Sequence, residues 1–423
     1  MFVFTVMFMI VIATIIEAAN AFAPGHCVPL TLRTAARLQL RPRLRLTAKE
    51  DNQDKSPSSF LEKLKNQSMN ILTLKTQSPD LKAETETETA EDAEKEQKRW
   101  QRNRQEEVLA KLDIKSSVVP KVAYVDPDRF FDVAAAAMPF VLRQGSGAFI
   151  EGYKISFIPE DKSKYVPYNI TLNVLGKKYQ LHEKSTFQIT ADKTKTQPRG
   201  PIVIYEFEGC PFCRKVREAV SMLDLQVEYR PTAQGSIYRK YVKEKHGPLA
   251  TFPFMQDPNT DIEMFESDDI IKYLFTTYSN NYINDPSNNN NENENKNNPP
   301  SSLTQGTFTT IMTGLSLLFR FGKGSKVRQQ TNPPNQPLIL WSAEGTPFGK
   351  LVREELNELQ LPHIQISCPR GSPNRQKMFD QTGTFQIPYL QDPNNDVSLF
   401  ESSAIIEYLQ KMYAVKPSPV EYI

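Results

Sequence analysis

The sequence predicts an α/β protein made of two tandem copies of one module behind a long polar leader. Three observations predict it. The β-prone run Pro201-Ile202-Val203-Ile204-Tyr205 leads into Glu208-Gly209-Cys210-Pro211-Phe212-Cys213-Arg214, the pattern of a strand, a turn and a helix N-terminus. The second half then repeats the first. Pro337-Leu338-Ile339-Leu340-Trp341 matches the strand, Glu344-Gly345-Thr346-Pro347-Phe348-Gly349 matches the turn, and Val352-Arg353-Glu354 matches Val216-Arg217-Glu218. The match holds to within one residue as far as Pro388 with Pro253, Gln391-Asp392 with Gln256-Asp257, and Phe400-Glu401-Ser402 with Phe265-Glu266-Ser267. A duplication of that length means one shared fold. Third, the stretch from Glu50 to about Lys115 is too polar and charged to build a core.

Composition narrows the chemistry. The chain has 423 residues and a formal net charge of +2, room for two or three modest domains and no basic excess for a nucleic-acid partner. Its four cysteines, Cys27, Cys210, Cys213 and Cys368, contain one close pair, which is a poor disulfide framework. With four histidines in the chain and no second Cys-x-x-Cys, no zinc set is complete and no metal is expected. The pair therefore reads as chemistry. Cys210 lies where free backbone N–H groups and the helix dipole favour an anion, so it is the expected nucleophile. Cys213 lies one turn further in, placed to attack a mixed disulfide. Cys368 reads as a structural or glutathionylated single thiol.

In chain order, residues 1–21 read as a signal peptide, apolar from Phe2 to Ile16 and closed by Ala19-Asn20-Ala21. Residues 22–49 carry Arg33, Arg37, Arg41, Arg43, Arg45 and Lys49 with no acid, the composition of a transit peptide. Together with Ala21-Phe22-Ala23-Pro24 they resemble the bipartite presequences of algae with complex plastids, which implies a plastid (chloroplast) address; plain secretion and an uncleaved anchor are the competing readings. Residues 50–115 are a charged linker or solvated helix, including the basic run Lys98-Arg99-Trp100. Residues 125–200 hold a helix opened by Pro127 and a small β-layer, with alternation at Ile170, Leu172 and Val174. That helix runs into Arg143-Gln144-Gly145-Ser146-Gly147. Arg320-Phe321-Gly322-Lys323-Gly324 repeats the form after a second apolar stretch. No Gly-Lys-Ser/Thr follows either, so each reads as a turn laying an apolar helix on the next module rather than as a phosphate cradle.

The first module is 201–278. After the cysteines come a helix with Val216, Val220 and Leu223 on one face, a strand at Gln226-Val227-Glu228-Tyr229, a helix around Tyr238–Lys245 and a strand led by Phe252-Pro253. A turn at Asp257-Pro258-Asn259, a strand at Ile262–Phe265 and a helix capped by Ser267 or Asp268 complete it. Residues 279–302 are an Asn-rich linker. Residues 303–336 are an apolar helix and connector; Leu303–Phe319 carries no charge and reads as a buried or interfacial helix, with peripheral membrane contact as the competing reading. The second module, 337–413, has Thr346 and Gly349 in place of the two cysteines, so it cannot run dithiol chemistry.

On Cys210-Pro211-Phe212-Cys213, Phe252-Pro253 and Glu266-Ser267, with Thr346, Ile387-Pro388 and Glu401-Ser402 in the second copy, both modules resemble glutaredoxins and the thioredoxin-like N-terminal domain of glutathione transferases. With the Arg-x-Gly-x-Gly preludes, the chain is similar to plant and algal plastid proteins with two such domains in tandem. The resemblance implies a cis-proline at Pro253 and Pro388. It implies glutathione as co-substrate, held by Phe252, Pro253, Glu266 and Ser267, and by Thr346, Ile387, Pro388, Glu401 and Ser402. Full glutathione transferases add a helical domain that forms the electrophile pocket, whereas about ten residues follow Tyr413 here. Glutaredoxins carry a basic residue before the active cysteine, whereas this chain has Glu206 and Glu208, answered by Arg214, Lys215 and Arg217.

The expected activity is that of a plastid glutathione-linked thiol–disulfide oxidoreductase acting through Cys210 and Cys213 on protein or small disulfides. The competing readings are a non-catalytic glutathione- or protein-binding scaffold with a redox-sensitive pair, and a transferase or isomerase like the membrane-associated prostaglandin E synthase. In the second module, Thr346 is expected as a helix cap, with a hydrogen bond to a bound thiolate as the alternative.

Overall fold

The computed structural model describes residues 99–114, 127–142, 153–167, 170–185, 198–279 and 319–415, with isolated positions at 96, 97, 125, 299, 300, 303 and 314. The expected signal and transit segments, most of the Asn-rich linker, most of the apolar stretch from 303 to 318 and the first Arg-x-Gly-x-Gly lie outside the described residues.

Before the modules come α1 (Phe130–Leu142), β1 (Tyr153–Pro159), β2 (Thr171–Val174) and β3 (Lys177–Ser185). The first module runs β4 (Ile202–Glu206), α2 (Pro211–Met222), β5 (Gln226–Pro231), α3 (Ile237–His246), β6 (Phe254–Asp257), β7 (Ile262–Met264) and α4 (Ser267–Tyr278). The second repeats it as β8 (Leu338–Ser342), α5 (Pro347–Glu358), β9 (His363–Ser367), α6 (Pro373–Thr382), β10 (Tyr389–Asp392), β11 (Val397–Phe400) and α7 (Ser402–Tyr413). In each module the first two strands are parallel and the last hairpin is antiparallel, the thioredoxin order. The alternation of apolar positions explains the layering. Ile202, Ile204, Val216, Val220, Ile270 and Leu274 close one core, and Leu338, Leu340, Val352, Leu356, Ile405 and Leu409 the other.

The two modules share one eight-stranded sheet, ordered β7-β6-β4-β5-β9-β8-β10-β11. They join where β5 and β9 pair antiparallel, Gln226 opposite Ile366 and Tyr229 opposite His363. Each module thus covers an edge the other would expose. The junction also changes α2. Its apolar face is buried as expected, but so is its charged face, with Arg214, Arg217 and Glu218 all out of solvent. The cause is α5, whose Lys350, Arg353 and Glu354 are buried as well. Around this pair the helix ends are cross-tied. The Gln360 side chain at the end of α5 accepts the Ile237 N–H at the start of α3, at 3.0 Å. Asp224 at the end of α2 accepts the hydroxyl of Ser372, the N-cap of α6, at 2.7 Å.

Three expectations change. The charged stretch 50–115 ends in a helix through 102–111 that packs on the second module, because Leu109 and Ile114 join its core. Gln105 hydrogen-bonds the backbone of Ser398 on the outer strand β11 in both directions. The β-layer, ordered β1-β3-β2, is a sheet apart from that of the two modules. It reaches the second, through Glu183 to Arg370 and Arg375 and through the Tyr165 ring to Phe385. Leu172 and Val174 therefore stay exposed despite their alternation. The second Arg-x-Gly-x-Gly is a turn that grips both modules. Arg320 pairs with Glu354, Gly324 N–H donates to Glu358, and the Ser325 carbonyl accepts the Gln234 N–H. Leu303 is buried in the first core. Among the described residues no helix is long and apolar enough to cross a membrane.

Burial holds Asp224 protonated further up the pH scale, to about 7, although Ser372, Lys377, Arg375 and Asn374 favour its charge. The folded value lies above the ordinary carboxylate value of about 3.9, so stability from this group is intact below about pH 4 and is lost as pH rises through about 7. Asp224→Asn is expected to match the wild type near pH 4 and to exceed it near pH 8, read by urea unfolding across that range.

Candidate active site at the helix mouth

The site grows out of the β4–α2 turn. Cys210 is the N-cap of α2, and its sulfur accepts the Cys213 N–H at 3.3 Å. A small residue with an acceptor is what an N-cap requires, and here the acceptor is sulfur. The Cys210 thiol points at the Phe252 carbonyl, 3.8 Å away, and the Phe252-Pro253 peptide is cis. Neither cysteine is in a disulfide; Cys210 is 5% exposed and Cys213 1%.

The two thiols are pushed apart. Cys210 is held below the ordinary cysteine range by the Cys213 side chain first, then by the backbone N–H groups of Cys213 and Phe212; burial and the Glu206 carboxylate act the other way. Cys213 is pushed well above that range by burial first, then by Cys210 and Glu206. One thiol is suited to attack and the other to remain protonated until a disulfide forms beside it.

Arg239 was not singled out by sequence. It lies on α3 with its guanidinium 4.7 Å from the Phe252 ring and 5.1 Å from the Phe207 ring, and its Nε donates to the Thr232 carbonyl at 2.7 Å. Burial lowers its pKa, and the charges of Cys213 and Cys210 act the other way. The internal repeat holds the signal, since Arg375 takes the corresponding place over Phe385.

Glu266, not Ser267 or Asp268, is the N-cap of α4, with φ 66 and ψ 116 and no side-chain cap. Glu401 repeats this before α7 with φ 68 and ψ 121. A side chain held at positive φ twice over costs of order 1–3 kcal/mol each time, the kind of strain found at ligand sites. Neither helix has a side-chain cap on its first N–H groups. Ser267 and Ser402 are buried beside them. Thr251 and Glu266 line one open depression with Phe265, so the Phe252 strand and the α4 N-terminus come together. Lys215 pairs with Asp268, which ties α2 to the same end of α4.

The second module keeps the frame without the sulfur. Ile387-Pro388 is cis, and Gln386 donates to Glu401 at 2.8 Å. Thr346 occupies the N-cap of α5, but its side chain makes no cap hydrogen bond, so the expected cap is absent. Ser342, which replaces Glu206, has a buried hydroxyl without a hydrogen-bond partner. A Cβ on Gly349 would lie 2.1 Å from that oxygen and 2.8 Å from Thr346 Cγ2. The position has closed around glycine. Cys368 is fully buried, which pushes its thiol far up and leaves the structural reading rather than glutathionylation. Among the described residues no cluster of His, Cys, Asp and Glu could hold a metal.

The family model described as glutathione S-transferase, N-terminal domain, matches residues 204–282 and again 340–417. The glutathione S-transferase-like protein tpcF of Aspergillus fumigatus is 36% identical over 81 residues, 19% of this chain and 36% of that protein. The glutathione S-transferase-like protein OpS6 of Beauveria bassiana is 33% identical over 78 residues, 18% of this chain and 36% of that protein. The chain thus spans about a third of the length of these curated relatives. No solved structure matches it significantly. Both modules match the glutathione S-transferase N-terminal domain model, and both have the thioredoxin strand order.

Gly349→Ala is expected to cost about 1–3 kcal/mol through overpacking against Ser342. Ser342→Ala removes the obstructing oxygen and should recover most of that loss in the double variant, a coupling that urea unfolding of the four proteins measures.

Proposed function

We propose that the protein is a glutathione-linked thiol–disulfide oxidoreductase whose working site is in the first module. The observation that carries the reading is the split pair: an acidified Cys210 at the mouth of α2, against the cis-Pro253 strand, with a protonated Cys213 behind it. Cys210 thiolate attacks one sulfur of a disulfide; the new S–S bond forms as the other sulfur leaves as thiolate and takes a proton. Cys213 then attacks Cys210, loses its proton and releases the second thiol. Two molecules of glutathione reduce the resulting Cys210–Cys213 disulfide and leave as glutathione disulfide. The glutathione S-transferase-type domains support glutathione as that reductant. Its γ-glutamyl carboxylate would meet the uncapped N-termini of α4 and α7, at Glu266-Ser267 and Glu401-Ser402. The second module binds without turnover.

A second reading, glutathione transfer or binding alone, is favoured by the names of the two fungal relatives and by the Thr346 hydroxyl left out of the helix cap. We also propose a plastid location, on the composition of residues 1–49.

Given reduced glutathione and a small glutathione mixed disulfide, the wild type should turn over, Cys210→Ser should not, and Cys213→Ser should retain activity where glutathione resolves the adduct. An inert wild type that is retained on immobilised glutathione would decide for the binding reading.

A further inference from the structure

The second module lost both sulfurs but kept the charges around them. Glu344, Lys350 and Arg353 stand where Glu208, Arg214 and Arg217 stand in the first module, and all six are buried. They cross the junction. Glu208, two residues before Cys210, receives Lys350 Nζ at 2.8 Å and Arg353 Nε at 3.0 Å, and its backbone N–H donates to Asn357 Oδ1 at 3.3 Å. In return Glu344 receives Arg217 Nε at 3.0 Å and Arg214 Nη1 at 3.4 Å. Arg217 also donates to Glu206, whose charge acts on both thiols.

The titratable and charged groups near Cys210 are Cys213 on α2, Glu206 at the end of β4 and Arg239 on α3, and Glu206 is tied through Arg217 to Glu208. Alone, the first module sets three carboxylates, Glu206, Glu208 and Glu218, against Arg214 and Arg217. An excess anion buried there opposes a thiolate. The second module adds Lys350 and Arg353 with Glu344 and Glu354, and Arg320, paired with Glu354, brings the cluster to balance.

We propose that this is the second module's part in the redox site: Lys350, Arg353 and Glu344 are positioning residues that set the charge beneath Cys210 from across the junction. The proposal rests on Cys210 being the reacting thiol. It explains why a copy without a dithiol retains a buried charge set that a free-standing module would have no use for.

The test is the pH profile of Cys210 alkylation by iodoacetamide on the full chain, read by mass spectrometry. Lys350→Gln is expected to move the half-point up and Glu344→Gln to move it down, each by about half to one pH unit. Lys350→Arg should restore the wild-type profile. Lys240→Gln, at an exposed lysine of the first module, should leave it in place. A merely structural role loosens the fold in both variants and moves both profiles the same way; that result, or no movement in either, overturns the proposal. A wild-type half-point at the ordinary cysteine value of about 8.5, with the two variants still moving apart, would uphold the charge coupling and sink the oxidoreductase reading instead.

Discussion

Everything else in the molecule is arranged around the burial of the Glu208 carboxylate. It is fully enclosed, two residues before Cys210, and three cations meet it: Lys350, Arg353 and Arg217. Burial works against its charge, and those cations hold its carboxyl well below the ordinary range. A buried carboxylate without partners would be driven to protonate or would destabilise the fold by several kcal/mol. The β5–β9 pairing supplies the partners, because it lays α2 and α5 side by side with their charged faces inward. A buried ion cluster is weak as a source of stability but strict about geometry, since every removed partner leaves a charge stranded. It selects one docking of the two modules over sliding alternatives along the sheet edge.

The duplication also shows what each copy was free to change. The frame is kept in both: the cis-prolines, the positive-φ glutamates Glu266 and Glu401, and the tyrosine pairs on Asp257 and Asp392. The differences that bear on the dithiol fall at the helix mouth. Glu206, Cys210 and Cys213 in one copy stand against Ser342, Thr346 and Gly349 in the other. Ser342 Oγ fills the space where a Cβ on Gly349 would go, so the losses are coupled sterically as well as chemically. The second module did not merely drop two sulfurs; it repacked the hole.

The repeat and the strand–turn–helix setting were legible in the sequence because they rest on local periodicity and on turn chemistry. The element order of both modules follows from them, and so does the position of Cys210 at a helix mouth. What was not legible depends on pairs far apart in the chain. Arg214, Lys215 and Arg217 could be set against Glu206 and Glu208 from sequence, but nothing local says that α5 covers them. Glu183 lies far from Arg370 and Arg375, so the docking of the β-layer on the second module has no local signal either. Ile170, Leu172 and Val174 alternate like a half-buried strand yet face solvent, because the surface that buries Leu181 ends before it reaches them. The Glu266 cap was missed for a different reason. A glutamate at positive φ is an exception to residue preference, and such exceptions are where function overrides propensity.

Fusing the two copies into one chain has a physical consequence for the redox site. In a dimer of identical modules, the charges under each cysteine pair would change together with every substitution, since one gene supplies both sides. Here the two sides are separate residues. Glu208 and Glu344 occupy equivalent places and meet equivalent cations, Lys350 and Arg353 on one side and Arg214 and Arg217 on the other, so the asymmetry lies beyond them. Arg217 can therefore hold Glu206, which has no counterpart beyond Ser342, without a mirror-image acid being buried across the junction. Separate residues on the two sides thus let an acid sit beside the dithiol in one copy while Arg353 Nη1, its would-be partner in the other, stays buried without a hydrogen bond.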